Sequence, residues 1–182
     1  DLIWNYVINN YLLGQDPPAF DVLFWNADAT NLSASLMGDF LTIFETLAFT
    51  KKGEVEMVDH KIDLSKVKSD LFILGGVTDH ITPWKATYRS TQLFGSKDVT
   101  YVLSHSGHMQ AILNPPGNPK ARYYVQKDGG PLPKTADEWL KGTEEVAGSW
   151  WPFWMDWLQT RSGEKVKAPR KLGNTKYKPL DP

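Results

Sequence analysis

Apolar positions recur along the first part of this chain with a helical period. Trp4, Val7, Ile8, Tyr11 and Leu12 fall at i, i+3, i+4, i+7 and i+8, which predicts a helix over residues 2–13. Gly14 suits the position just past its end, and Pro17-Pro18 stops it. A short apolar stretch, Phe20 to Trp25, runs into Asn26-Ala27-Asp28. A second helix is expected over 33–48, with Leu36, Phe40, Ile43, Phe44 and Leu47 on one side. Lys51-Lys52-Gly53 reads as a turn, and Glu54 to Ile62 as a short hairpin or edge pair.

The period changes at Leu71-Phe72-Ile73-Leu74, a continuous apolar run closed by Gly75-Gly76. Such a run suits a strand buried on both faces, as in a parallel sheet. Thr82-Pro83 offers an N-cap and a first-turn proline for a helix reaching Leu93 or Phe94, stopped by Gly95. Val99 to Leu103 is a second strand, so the order is strand, helix, strand: a βαβ unit. Residues 114–133 hold five prolines and three glycines and read as a long surface loop. Thr135-Ala136-Asp137-Glu138 carries the capping-box spacing for a helix with Trp139 and Leu140. Ser149 is a cap for a further helix with Trp150, Trp151, Trp154, Trp157 and Leu158. From Arg161 to Pro182 the net charge is +5 with little apolar content, which reads as a basic surface tail.

Composition narrows the class. At 182 residues, 41% hydrophobic and 23% charged, the chain suits one folded domain with a real core. No apolar run is long enough to span a membrane, and residues 1–13 do not form a signal peptide. A net charge of −1 gives no general pull toward nucleic acid. The chain has no cysteine, so disulfides, thiolate metal sites and a cysteine nucleophile are excluded within it. Its unusual feature is eight tryptophans, four of them between Trp150 and Trp157. Helical spacing assigns that cluster to the core; the rival reading is a sticky surface for a polymer, carbohydrate or lipid.

Ligands in open α/β sheets sit at the carboxyl ends of strands, and there the polar residues gather: Asp79-His80 after one strand, His105-Ser106-Gly107-His108 after the next. Asp79 and His108 are 29 residues apart, one helix plus one strand. This is the order of acid and histidine in an α/β-hydrolase triad, where Asp orients the imidazole that takes the nucleophile's proton. The alternative is that Asp79 merely caps the helix near Pro83 and His108 caps a turn. No two glycines are four residues apart, so no nucleophile elbow is present. With an Asp rather than a Met at position 1, the expectation is a C-terminal fragment of a larger enzyme. His80 is read as lining the pocket or supporting the Asp79 loop, the other reading being a structural histidine. Trp25 pairs a large anchor with the polar Asp28, and both are candidates for the pocket; the plainer reading is a turn with Asp28 capping the next helix. His105, His108 and Asp79 mimic a metal set, but no His-Glu-x-x-His or cysteine cluster supports one, and no metal is expected. No G-x-G-x-x-G or P-loop points to nucleotide chemistry.

With these residues in place, the chain resembles polyhydroxyalkanoate synthases of the one-subunit type (classes I and II). The segments that carry the resemblance are Asn9-Asn10-Tyr11-Leu12-Leu13-Gly14 with Asp16-Pro17-Pro18, then Phe24-Trp25-Asn26-Ala27-Asp28 and Asp79-His80-Ile81-Thr82-Pro83-Trp84. Ser106-Gly107-His108 through Asn114-Pro115-Pro116, and Gly148-Ser149-Trp150-Trp151, complete the set. The resemblance implies an α/β-hydrolase fold with a cap: residues 1–50 a cap-region segment, 51–160 the C-terminal part of the hydrolase core, and 161–182 the basic tail. It implies a Cys-Asp-His triad in which Asp79 and His108 are the acid and base, His80 is the histidine after the aspartate, and the cysteine elbow lies upstream. It further implies polymerisation of (R)-3-hydroxyacyl-CoA onto a growing polyester chain with release of CoA, and acyl-CoA as substrate with no separate cofactor. A homodimer, in the cytoplasm at the polyester granule surface, is implied as well. Two rival classes remain. An esterase or depolymerase of the same fold needs an upstream serine, and a tryptophan-rich binding module needs no chemistry.

Overall fold

The computed structural model describes residues 2–17, 27–168 and 171–179. The chain divides into two compact units, Asp1–Ala48 and Phe49–Pro182. In the first, helix α1 (Leu2–Tyr6) passes into a wider π-helical stretch over Val7–Leu12, with the Leu13 N–H bonded to the Ile8 carbonyl at 3.0 Å. The wider turn breaks the stripe that a 3.6-residue period predicts, and Trp4, Ile8, Tyr11 and Leu12 are exposed. Helix α2 (Ala34–Thr46) falls inside the expected 33–48: Ser33 caps it, its hydroxyl accepting from the Leu36 N–H, and the helix stops before Leu47, which takes the left-handed conformation. Asp28, expected as the cap, lies five residues too early and is exposed. The apolar side of α2 is largely uncovered, with Phe44 73% exposed. Trp25 and the Phe20–Trp25 stretch lie outside the described residues.

The second unit opens with the expected hairpin. Strands β1 (Glu56–Met57) and β2 (His60–Lys61) pair antiparallel across Val58 and Asp59, both at positive φ, a turn whose twist matches the strands. The main sheet has strand order β3 (Leu71–Gly76), β4 (Val99–Ser104), β5 (Arg122–Gln126), β6 (Thr143–Ala147). β3 and β4 are parallel, in register from Leu71↔Val99 to Gly76↔Ser104, and α3 (Trp84–Ser90) connects them. The remaining pairs are antiparallel. This is an α/β architecture with helices on both faces of a mixed sheet.

Side-chain alternation sorts the core into two layers. On one face Ile73, Tyr101 and Leu103 pack with Tyr88 of α3 and with Ala136 and Trp139 of α5 (Ala136–Lys141). On the other, Phe72, Leu74, Val102, Tyr123 and Val125 pack with Trp150 and with residues of α6 (Trp151–Gln159). Burial pushes the Tyr88 and Tyr101 hydroxyls up to about 12, so both remain neutral donors, to the Pro133 carbonyl at 2.6 Å and the Trp84 carbonyl at 3.0 Å. β3 is covered on both faces as expected. Its residues 71–74 are nevertheless only half-buried, because among the described residues no strand pairs along its outer edge.

Three expectations need correction, and one strand was not foreseen. The supposed loop 114–133 contains β5: Tyr123 and Val125 alternate into the core between Pro119 and Gly129-Gly130. β6 was not foreseen, since Thr143-Glu144-Glu145-Val146-Ala147 offers one large apolar residue. Its pairing is supported from β5, where Arg122 and Tyr124 both bond Glu145. Pro83, not Thr82, is the cap residue of α3, and α3 ends at Ser90 because Thr91–Leu93 tighten into turns bonded three residues back. The tryptophan helix begins one residue later than expected. The Ser149 hydroxyl still accepts from the Trp151 N–H, Trp150 is buried, and Trp151, Trp154 and Trp157 are half-buried, so the core reading holds fully for one of the four. The described residues of the tail are exposed. Arg161 itself bonds Asp70 and Asp98, which precede β3 and β4, and lies over the Trp157 ring.

Candidate active site

The parallel register decides where the two polar loops go. Gly76 and Ser104 pair at the carboxyl ends of β3 and β4, so the loops that follow leave the sheet side by side. The ladder continues past the strands: the Val77 N–H bonds the Ser104 carbonyl at 2.9 Å, and the Thr78 N–H bonds the Ser106 carbonyl at 3.1 Å. Gly76 is required for this approach. A Cβ there would lie 2.9 Å from both the Ala111 Cβ and the Ser106 carbonyl oxygen. His108 opens helix α4 (His108–Leu113), with Gly107 as its cap residue.

The result is a hydrogen bond of 2.9 Å between His108 Nδ1 and Asp79 Oδ2. The Asp79 side chain is 6% exposed and that of His108 36%. Asp79 also serves its own loop: Oδ1 accepts from the Ile81 and Thr82 N–H groups, each at 2.9 Å, and Oδ2 accepts from the Thr82 hydroxyl at 2.7 Å. One carboxylate thus bonds its own loop and the imidazole at once, but it does not cap α3, whose cap residue Pro83 has no side-chain bond. Burial alone would raise its pKa. The bonds from Thr82, His108 and Ile81 outweigh that and hold the carboxyl well below the usual carboxylate range.

An ionised Asp79 makes Nδ1 the protonated nitrogen of a neutral imidazole, which leaves Nε2 as the basic lone pair. No described residue hydrogen-bonds Nε2. The arrangement can take a proton from a thiol or hydroxyl placed against Nε2 and hold the resulting imidazolium.

The other histidines stand apart from this pair. His80 is exposed and bonds neither Asp79 nor His108. His105 is exposed too, held by its backbone N–H on the Arg122 carbonyl. Among the described residues no three His, Cys, Asp or Glu side chains converge to hold a metal ion. Asp28 belongs to the first unit. Sequence reasoning missed Thr82 as a double donor to Asp79, although its position three residues after an Asp is the signal for such a turn.

The lowered Asp79 pKa has a consequence for stability. A carboxylate with a native pKa below its unfolded value of 3.8 contributes stability above that value and loses it as pH falls toward the native one. The melting-temperature gap between the protein and its Asp79→Asn variant is therefore expected to be widest near neutral pH and to narrow from about pH 5 to pH 2. A gap that does not change with pH would contradict the ionised, multiply bonded carboxylate.

No family model matches the chain. Among curated proteins, poly(3-hydroxyalkanoate) polymerase 1 of Ectopseudomonas oleovorans is 50% identical over 177 residues, 97% of this chain and 31% of that protein. Polymerase 2 of the same organism is 51% identical, over 100% of this chain and 32% of its own length. Poly(3-hydroxyalkanoate) polymerase subunit PhaC of Cupriavidus necator is 38% identical over 100% of this chain and 30% of its own length. No helix among the described residues is long and apolar enough to cross a membrane. The chain spans about a third of the length of these relatives, and over nearly the whole of its own length it is homologous to that part of the poly(3-hydroxyalkanoate) polymerases.

Proposed function

We propose that this chain carries the acid and the base of a polyester-forming acyltransferase with an α/β-hydrolase core. Its substrate is an (R)-3-hydroxyacyl-CoA, and its nucleophile is a cysteine outside these residues. The observation that carries the proposal is the 2.9 Å bond between Asp79 and His108 at the ends of adjacent parallel strands. The homology to named polymerases over nearly the whole chain supports it.

In the first step His108 Nε2 takes the thiol proton, and the thiolate attacks the thioester carbonyl. The C–S bond to CoA breaks, and the leaving thiolate takes the proton back from the imidazolium. In the second step the 3-hydroxyl of another acyl unit gives its proton to Nε2 and attacks the enzyme thioester. An ester bond forms, and the cysteine leaves as thiolate and is reprotonated. Thiol, hydroxyl, base and CoA leaving group account for every atom, so the proposed reaction uses no further cofactor. His80, Trp25 and Asp28 are assigned to the substrate pocket or to loop support. By the same reading the working enzyme is a homodimer in the cytoplasm, at the surface of the polyester granule.

Trapping the acyl-enzyme in the full-length protein with hydroxybutyryl-CoA, and mapping the modified residue, tests this. The label is expected on a cysteine outside residues 1–182, with no sustained CoA release from residues 1–182 alone. A labelled serine would assign an esterase instead, and sustained turnover by the 182-residue chain would remove the split site.

A further inference from the structure

Helix α4 has too few donors of its own. It runs His108–Leu113, little more than a turn and a half, so it is not stable in isolation and takes its place from what it touches. A continuing helix would satisfy the Ala111 and Ile112 carbonyls with N–H groups four residues on. Those positions are Pro115 and Pro116, which have no N–H.

The missing donors come from the second core layer. Trp150 Nε1 donates to the Ala111 carbonyl at 2.9 Å in a buried bond. Trp151 Nε1 is shared between the Ile112 and Leu113 carbonyls at 3.2 and 3.3 Å. The two indoles stack on each other, 4.8 Å between centroids and 23° between planes. Their backbone is tied as well: Ser149 Oγ accepts from the Trp151 N–H, and the Gly148 N–H bonds the Ala121 carbonyl at 2.7 Å. Gly148 sits at φ +109°, a conformation that a side chain would strain.

We propose that Trp150 and Trp151 are positioning residues for His108: their indole N–H groups take over the end of α4 and so set the placement of the imidazole against Asp79. The helix is held by the Ala111–Gly76 contact on one side, by the buried bond from Asn114 Nδ2, just past its last residue, to Ser104 Oγ at 3.3 Å, and by the indole bonds to its last three carbonyls. Releasing the indole bonds lets the last turn shift about the Asn114 anchor, which moves the first residue of so short a helix. The proposal rests on the reading of His108 as the base.

The test uses the full-length protein with Trp150→Phe, Trp151→Phe and the double substitution, each removing the donor while keeping an aromatic ring. Trp154→Phe is the control, since Trp154 packs against both rings but its indole donates to no carbonyl of α4. In the double variant kcat for CoA release is expected to fall roughly tenfold to a hundredfold with KM changed by less than about twofold, as displacement of a catalytic group by a fraction of an ångström to 1 Å does. In histidine-labelled protein the His108 Nδ1 proton is expected to exchange with water about tenfold faster, as its bond to Asp79 loosens. Trp154→Phe should change neither. A double variant that melts lower yet keeps kcat and the Nδ1 proton's exchange rate would overturn the proposal. If the double variant does not fold, the more exposed Trp151→Phe decides by the same two readouts. A protein with no CoA release at all sinks the polymerase reading, while the Nδ1 exchange still decides the positioning role.

Discussion

Replacing His108 with alanine in the full-length protein is expected to abolish both halves of the proposed reaction. Replacing Asp79 is expected to spare the first half in part. Nε2 is the only base the described site offers to a reacting proton, so without it neither the thiolate nor the alkoxide forms efficiently. A loss of about 10²–10⁴-fold in each step is the scale of a removed general base. Asp79→Ala leaves the imidazole in place but removes the partner that holds its proton on Nδ1. It also strips the Ile81 and Thr82 donors of their acceptor, so the loop loosens with the tautomer. A thiol ionises with far less help than a hydroxyl, so enzyme acylation should persist at a reduced rate while chain elongation fails. Single-turnover acylation, measured beside steady-state CoA release, separates the two steps. Equal loss of both in Asp79→Ala would contradict this division of roles, and full activity in His108→Ala would remove the catalytic assignment.

The largest stability effect is expected at Trp139. Its side chain is fully buried at the centre of the α3–α5 layer, edge-on to Tyr101 at 4.9 Å and against Tyr88 at 5.6 Å and Trp84 at 6.4 Å. Trp139→Ala empties the middle of that layer and should cost about 3–5 kcal/mol, read as a fall in the denaturant midpoint. Trp139→Phe should cost far less than the lost area suggests. The indole Nε1 is buried without a partner, and removing an unsatisfied donor returns roughly 1–3 kcal/mol. Trp84 begins the helix that follows the Asp79 loop, so Trp139→Ala is also expected to lower activity at temperatures where the variant remains folded. A Trp139→Phe variant as unstable as Trp139→Ala would mean that the ring's full outline, not its burial, carries the layer.

How far the sequence sufficed differs from element to element. The βαβ unit was legible because its signals are local. A continuous apolar run ending in Gly75-Gly76 reads as a covered strand, and the Thr135 to Glu138 capping box forms with both of its bonds. Asp79 and His108 were legible for the same reason, since strand ends are where loops can carry chemistry. β5 and β6 were hidden. Prolines and glycines crowd one, and the other has a single large apolar side chain, so only pairing with a neighbour already in place makes either a strand. The exposed first helix shows the converse, a clean apolar period that the π-helical turn then breaks.

The sequence by itself determined which residues could act: an aspartate and a histidine one βα step apart, no cysteine, and a tryptophan run whose spacing is helical. Only the tertiary structure decided that Asp79 serves the turn and the imidazole at once, because that depends on the strand register bringing Ser106 and Ala111 against Gly76. It also decided that Trp150 and Trp151 close the helix that Pro115 and Pro116 leave open. Backbone periodicity is a property of neighbours in the chain, whereas a hydrogen bond spanning 39 residues exists only once the sheet has set both partners side by side.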